Sequence, residues 1–164
     1  MSSNLSTVLV VDDTDASRYA IARHLRQAGF EVWEAASGQD ALRLAQQQPS
    51  LIVLDIKLPD ILGYEVCRKL KTDPATAAIP ILHISATFQM SADRVRGLEG
   101  GADGFLTEPL EPEELVAHVK LLLRLRDTTE SLRQSNEQLR HARDQLSVTN
   151  ASLERMVQER TAEL

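Results

Sequence analysis

Val8-Leu9-Val10-Val11-Asp12-Asp13 is an apolar run that ends in two acids, and Leu51-Ile52-Val53-Leu54-Asp55 is a second that ends in one. Two further runs close on polar residues in the same way. Pro80-Ile81-Leu82-His83-Ile84 gives way to Ser85-Ala86, and Gly104-Phe105-Leu106-Thr107 gives way to Glu108-Pro109. Short apolar runs bounded by polar residues and separated by helical patterns read as parallel strands of an α/β sheet. Ligands of such sheets sit at the carboxyl ends of the strands. Three carboxylates gathered at that edge suit a hard divalent cation, Mg²⁺ or Mn²⁺, which takes oxygen ligands.

Strand and helix signals alternate five times. Ser17 to Ala28 carries Ala20, Ile21, Leu25 and Ala28 at helical spacing and stops at Gly29. Phe30 to Ala35 reads as a strand. Ser37-Gly38 then opens a helix through Ala41, Leu42 and Ala45, which stops near Pro49. Gly63 to Lys71 forms a third helix on Tyr64, Val66, Cys67 and Leu70, and Thr72-Asp73-Pro74 is a turn. A fourth helix is predicted over Ser91 to Glu99, before Gly100-Gly101, and Pro112 suits the first residue of a fifth. Helices between the strands imply right-handed crossovers and a parallel sheet covered on both faces.

The ordered set of motifs closely resembles the receiver domain of two-component response regulators, the chemotaxis-regulator type included, over roughly residues 5 to 125. Asp12 and Asp13 match the family's acidic pair, and Asp55 in Asp55-Ile56-Lys57-Leu58-Pro59-Asp60 matches its phosphoacceptor. Gly63 matches the glycine after this loop, Ser85-Ala86 the hydroxyl-plus-alanine step, and Phe105 the aromatic switch position. One member departs from the pattern: the family has lysine before the final proline, where this chain has Glu108.

The resemblance implies a flavodoxin-like doubly wound sheet of five parallel strands in the order 2-1-3-4-5. It implies a cation held by Asp12, Asp13, Asp55 and the backbone carbonyl of Lys57. It also implies Asp55 as phosphoacceptor, Ser85 as a hydrogen-bond donor to the phosphoryl group, and Phe105 as the switch. The phosphoryl donor would be a histidine kinase or phosphotransfer protein. Chemistry on Asp55 is self-modification and self-hydrolysis, so the chain is expected not to be an enzyme acting on a separate substrate. Glu108 inverts the charge of the missing lysine and is expected to add a fourth carboxylate, which would raise one carboxyl pKa in the absence of metal. The alternative is a pseudo-receiver, an interaction and dimerisation module that Glu108 has disabled. Taken singly, Asp13 could be a helix-terminal acid, Ser85 a turn residue and Lys57 a solvated side chain.

After Pro112 neither glycine nor proline occurs, and leucine recurs every seventh residue at Leu125, Leu132, Leu139, Leu146 and Leu153. With these at d, the a positions are Thr129, Asn136, Arg143, Asn150, Val157 and Leu164. Leu at d with Asn at a favours a parallel homodimer in one register, and a solvated single helix is the alternative. The expected organisation is a receiver over residues 1–125 and a coiled-coil signalling helix over 126–164. The repeat is still running at Leu164. A longer parent is therefore expected, a sensor histidine kinase or another multidomain signalling protein with a downstream output domain.

The net charge of −6 argues against a nucleic-acid footprint, which carries a basic patch. The absence of a long apolar stretch argues against a membrane span. Met1 to Thr7 lacks a signal-peptide core, so a cytoplasmic location is expected. Cys67 is the only cysteine, which excludes an internal disulfide. His24, His83, His118 and His141 are not at ligand spacing, and no phosphate loop or nucleophilic triad is present.

Overall fold

A computed structural model of the chain describes residues 5–86, 95–96 and 99–163. Five parallel strands, β1 (Thr7–Val11), β2 (Glu31–Ala35), β3 (Leu51–Asp55), β4 (Ile81–Ser85) and β5 (Gly104–Thr107), form one sheet in the order β2-β1-β3-β4-β5. This is the flavodoxin-like order that the resemblance implied. Helices α1 (Asp15–Gln27), α2 (Gly38–Ala45) and α3 (Gly63–Thr72) alternate with the strands, and a C-terminal helix spans Pro112–Ala162. The helix expected over Ser91 to Glu99 lies largely outside the described residues.

Alternation along β1 sorts the core into two layers. Val8 and Val10 join Ile21, Ala22 and Leu25 of α1 and Leu115, Val119 and Leu122 of the C-terminal helix. Leu9 and Val11 join Ala41 and Ala45 of α2 and Val66, Cys67 and Leu70 of α3 on the other face. Successive strand side chains point to opposite faces, so a strand covered on both faces must be apolar throughout. Cys67 is fully buried in this layer, as a small hydrophobe.

Local signals set the helix ends. Gly29, at φ +94°, terminates α1 in a conformation that glycine adopts without a Cβ penalty. Ser37 caps α2 by accepting the Asp40 amide. Pro112 begins the last helix, followed by Glu113 and Glu114 in its first turn. The chain divides into one compact unit that ends at Arg126 and another that begins at Asp127. Within the first unit, Arg126 donates to the Ser50 carbonyl at 2.7 Å. In the second unit the heptad leucines are 52–69% exposed from Leu132 to Leu153.

Gly63 is the tightest junction near the sheet edge. Its amide donates to the Ile56 carbonyl at 2.8 Å, and an added Cβ would lie 2.3 Å from the Asp55 carbonyl oxygen. Because the obstructing atoms are backbone, Gly63→Ala is expected to lower stability by about 1–3 kcal/mol, read from urea unfolding. A change under about 0.5 kcal/mol, the range of neutral surface changes, would mean that α3 does not press on β3.

Candidate functional site: an acidic cluster at the carboxyl edge of the sheet

The β1–β3 ladder pairs Val11 with Leu54, so Asp12 and Asp55 leave adjacent strands at the same height. Asp13 follows Asp12, and one carboxylate oxygen from each of Asp12, Asp13 and Asp55 lies within 4.8 Å of the others. Asp12 is buried, Asp55 half-buried and Asp13 exposed. Such a set can chelate a divalent cation while leaving positions for water or a phosphoryl oxygen. Lys57, two residues past Asp55, is exposed, and its backbone amide reaches Asp55 Oδ1.

Each acid is held by its surroundings. The Asp12 amide donates to the Ala35 carbonyl at 3.1 Å, and Asp12 Oδ1 accepts the Thr14 amide at 2.8 Å. Arg18 donates to the Asp12 carbonyl at 2.8 Å and pairs with Asp15 and Glu34. Asp55 Oδ1 accepts the Lys57 amide at 3.3 Å. Burial pushes the Asp55 carboxyl up to about 6; the Lys57 and Ile56 amides oppose this, and the charges of Asp12 and Asp13 add to it. The rise expected from crowded carboxylates is therefore present, with loss of water as its main cause.

Glu108 does not join the cluster. Its amide donates to the Ser85 carbonyl at 2.9 Å, anchoring the backbone at the shared edge. Its side chain instead accepts from Ser17 Oγ of α1 at 3.5 Å, a long contact. The fourth carboxylate expected from sequence is thus directed toward α1. Ser85 is opposite Thr107 in the β4–β5 ladder and half-buried. Phe105, also half-buried, neighbours His83 across the ladder with ring centroids 6.5 Å apart.

His83 is a polar residue of the core. It is fully buried, lies edge-on to Tyr64 at 5.5 Å, and has one ring nitrogen 3.2 Å from the Leu54 carbonyl. Its Nε2 has no hydrogen-bond partner, and burial holds the imidazole down at about 4. Sequence reading also gave no role to Arg18, Thr14 or Asp60. The Asp12-to-Thr14 bond was legible as a local Asx turn. The Arg18 contact had no comparable local signal.

A doubly wound parallel sheet that gathers three carboxylates at its carboxyl edge has the geometry of an acidic, cation-binding pocket. The response regulator receiver domain model matches residues 8–120, and the chain belongs to that family. It is 41% identical over 128 residues to the response regulator PleD of Caulobacter vibrioides, covering 77% of this chain and 28% of that protein. It is 40% identical over 125 residues to the transcriptional regulatory protein GltR of Pseudomonas aeruginosa, covering 76% and 51%. The chain thus spans about half or less of these relatives. A putative response regulator from Chloroflexus aurantiacus superposes with a TM-score of 0.70 at 39% identity, covering 74% of this chain and 99% of that one. The receiver domain of a Pseudomonas aeruginosa sensor histidine kinase, solved with magnesium in its active site cleft, superposes with a TM-score of 0.67 at 27% identity, covering 73% and 98%.

The Asp55 carboxyl is raised from 3.8 to about 6, so it is harder to ionise folded than unfolded. Below pH 3.8 it is protonated in both states and contributes no difference. Between pH 3.8 and about 6 the unfolded chain ionises here while the fold keeps its proton, so the metal-free protein loses about 1–3 kcal/mol across that window, and the loss is complete above it. In EDTA, Asp55→Asn is expected to raise unfolding stability by that amount at pH 7.5 and to change nothing near pH 3.5. An equal gain at both pH values would mean that the charge is not the cause.

Proposed function

We propose that this receiver accepts a phosphoryl group on Asp55 in a cation-dependent reaction and passes the change through its C-terminal helix to an output domain. The observation that carries this reading is the convergence of the Asp12, Asp13 and Asp55 carboxylates within 4.8 Å at one sheet edge. Asp12, Asp13, Asp55 and the Lys57 carbonyl are the groups that would hold Mg²⁺ or Mn²⁺. When bound, the cation offsets charge on the incoming phosphoryl group.

An ionised Asp55 oxygen attacks phosphorus in line, forming the acyl phosphate as the bond to the donor's leaving group breaks with its electron pair. With a carboxyl raised only to about 6, Asp55 is mostly ionised above neutral pH. Ser85 donates to a phosphoryl oxygen, and Phe105 turns inward to report the new charge. The donor is a histidine kinase or phosphotransfer protein, and reversal occurs by hydrolysis on Asp55 itself. Glu108 supplies no cation at the lysine position, and the missing charge-assisted contact is worth about 1.5–3 kcal/mol. Its turn toward Ser17 removes the direct obstruction a fourth carboxylate would present.

The receiver and signalling helix divide at 125/126 in this reading, and the helix pairs with a second copy as a parallel coiled coil. The stripe of exposed leucines from Leu132 to Leu153 supports that pairing. A cytoplasmic site of action fits a partnership with kinases. The second reading, a pseudo-receiver that binds partners without stable phosphorylation, is favoured by Glu108 alone.

Intact mass after incubation with acetyl phosphate and Mg²⁺ separates the two. One phosphoryl adduct, absent in Asp55→Asn, is expected, and Glu108→Lys is expected to increase its occupancy. No adduct on the native chain but one on Glu108→Lys would establish the pseudo-receiver. For the helix, sedimentation equilibrium at micromolar concentration is expected to give a dimer that Leu139→Lys converts to monomer. A monomeric native chain would exclude the coiled coil.

A further inference from the structure

The loop between β3 and α3 supplies the Lys57 carbonyl, and its fixation comes from a residue outside the acidic cluster. Asp60 Oδ1 accepts the Gly38 amide at 2.8 Å, and Asp60 Oδ2 accepts the Gln39 amide at 2.9 Å. Oδ1 also accepts the Ile61 amide at 2.9 Å. One exposed carboxylate therefore ties the loop, across 22 residues of sequence, to the first turn of α2. The free amides and dipole of a helix N-terminus suit this carboxylate, and its carboxyl lies below the ordinary aspartate range because of those bonds.

The contact is built for close approach. A Cβ at Gly38 would lie 2.9 Å from Val66 Cγ2, 3.2 Å from Ile61 Cβ and 3.3 Å from Asp60 Oδ1. At its far end the loop is closed by the Gly63 amide on the Ile56 carbonyl at 2.8 Å. Lys57 thus lies between two fixed points of the loop, Ile56 just after β3 and Asp60, which is tied to α2. The α2 helix has its own cap, Ser37 Oγ on the Asp40 amide at 3.2 Å.

We propose that Asp60 is a positioning residue for the cation site: by gripping the Gly38 and Gln39 amides it holds the β3–α3 loop so that the Lys57 carbonyl faces the Asp12, Asp13 and Asp55 carboxylates. The inference rests on the reading of this cluster as a Mg²⁺ site. Groups that orient metal ligands without touching the metal typically change affinity by ten- to a hundredfold when removed.

Titration calorimetry with Mg²⁺ on the full chain tests it, with circular dichroism melts to verify folding. Asp60→Ala is expected to raise the Mg²⁺ Kd by about tenfold. Asp60→Asn keeps one acceptor oxygen and is expected to fall between Asp60→Ala and the native chain. Ser37→Ala removes a cap from the same helix without touching the loop, and is expected to melt lower while keeping the native Kd. An unchanged Kd in Asp60→Ala, or an equal rise in Ser37→Ala, overturns the proposal and reduces Asp60 to a helix cap. A native Kd in Asp55→Asn marks a different failure, that of the cation site itself, and the positioning role falls with it.

Discussion

The pairing of Val11 with Leu54 in the β1–β3 ladder fixes where the chemistry lies. Val8–Val11 and Leu51–Leu54 are apolar and buried on both faces, so the polar residue that follows each run emerges at the sheet edge. Equal register then sends Asp12 and Asp55 out side by side, and Asp13 follows from the turn into α1. A slip of one residue would exchange the Leu9–Val11 and Val8–Val10 faces, moving each set of side chains into the other's layer. Two separately packed cores therefore enforce the geometry of three carboxylates. Crowding them has an energetic consequence, visible in the raised Asp55 carboxyl. The unfavourable burial of charge is what a bound cation would offset.

The strands and helices were legible because their periodicities differ and their ends carry glycine, proline or capping residues. The five strands and the start of the last helix at Pro112 follow from those signals, while α1 begins at Asp15 rather than Ser17. Strand order was not readable from periodicity and came from the resemblance. Residues at strand ends were legible as site candidates because an acid after four apolar residues has few structural reasons to be there. The contacts of Arg18 and Asp60 were not. Arg18 reaches Glu34 only once α1 has packed beside β2, and Asp60 reaches Gly38 and Gln39 only once the β3–α3 loop lies against α2, so no spacing in the chain encodes these long-range contacts.

Glu108 illustrates the limit of charge arguments made along a sequence. Position alone put a fourth carboxylate beside three others, which Coulomb repulsion makes unfavourable in a low-dielectric setting. The backbone does stand at the edge, with its amide on Ser85. The side chain has rotatable bonds, however, and Ser17 offers a hydroxyl on the neighbouring helix. Rotation toward α1 trades a like-charge contact for a weak hydrogen bond, and the cluster is left with three acids. A site that has lost its lysine without gaining a competing ligand differs from one that has been blocked. In the proposed reaction its electrostatic deficit would fall on the phosphoryl group, not on the cation.

The C-terminal helix combines two energetic regimes in one continuous element, Pro112–Ala162. Its early turns bury Leu115, Val119 and Leu122, each of which stabilises by about 1.5–3 kcal/mol, and those turns belong to the receiver's core. Its later turns carry exposed leucines and, on the single chain, rely on pairs such as Glu130 with Arg133, worth only a few tenths of a kcal/mol. Helices without a packed face are marginal in water, so the leucine stripe needs a covering surface. In the proposed homodimer a second copy would supply one, with Asn136, Arg143 and Asn150 at the a positions reducing what each layer contributes. A coil with such a positions would be weak enough for a change of a few kcal/mol at its receiver end to be comparable with its own stability. In the proposed reading that balance would let a charge on Asp55 alter a helix pair, and isoleucine at every a position would remove it.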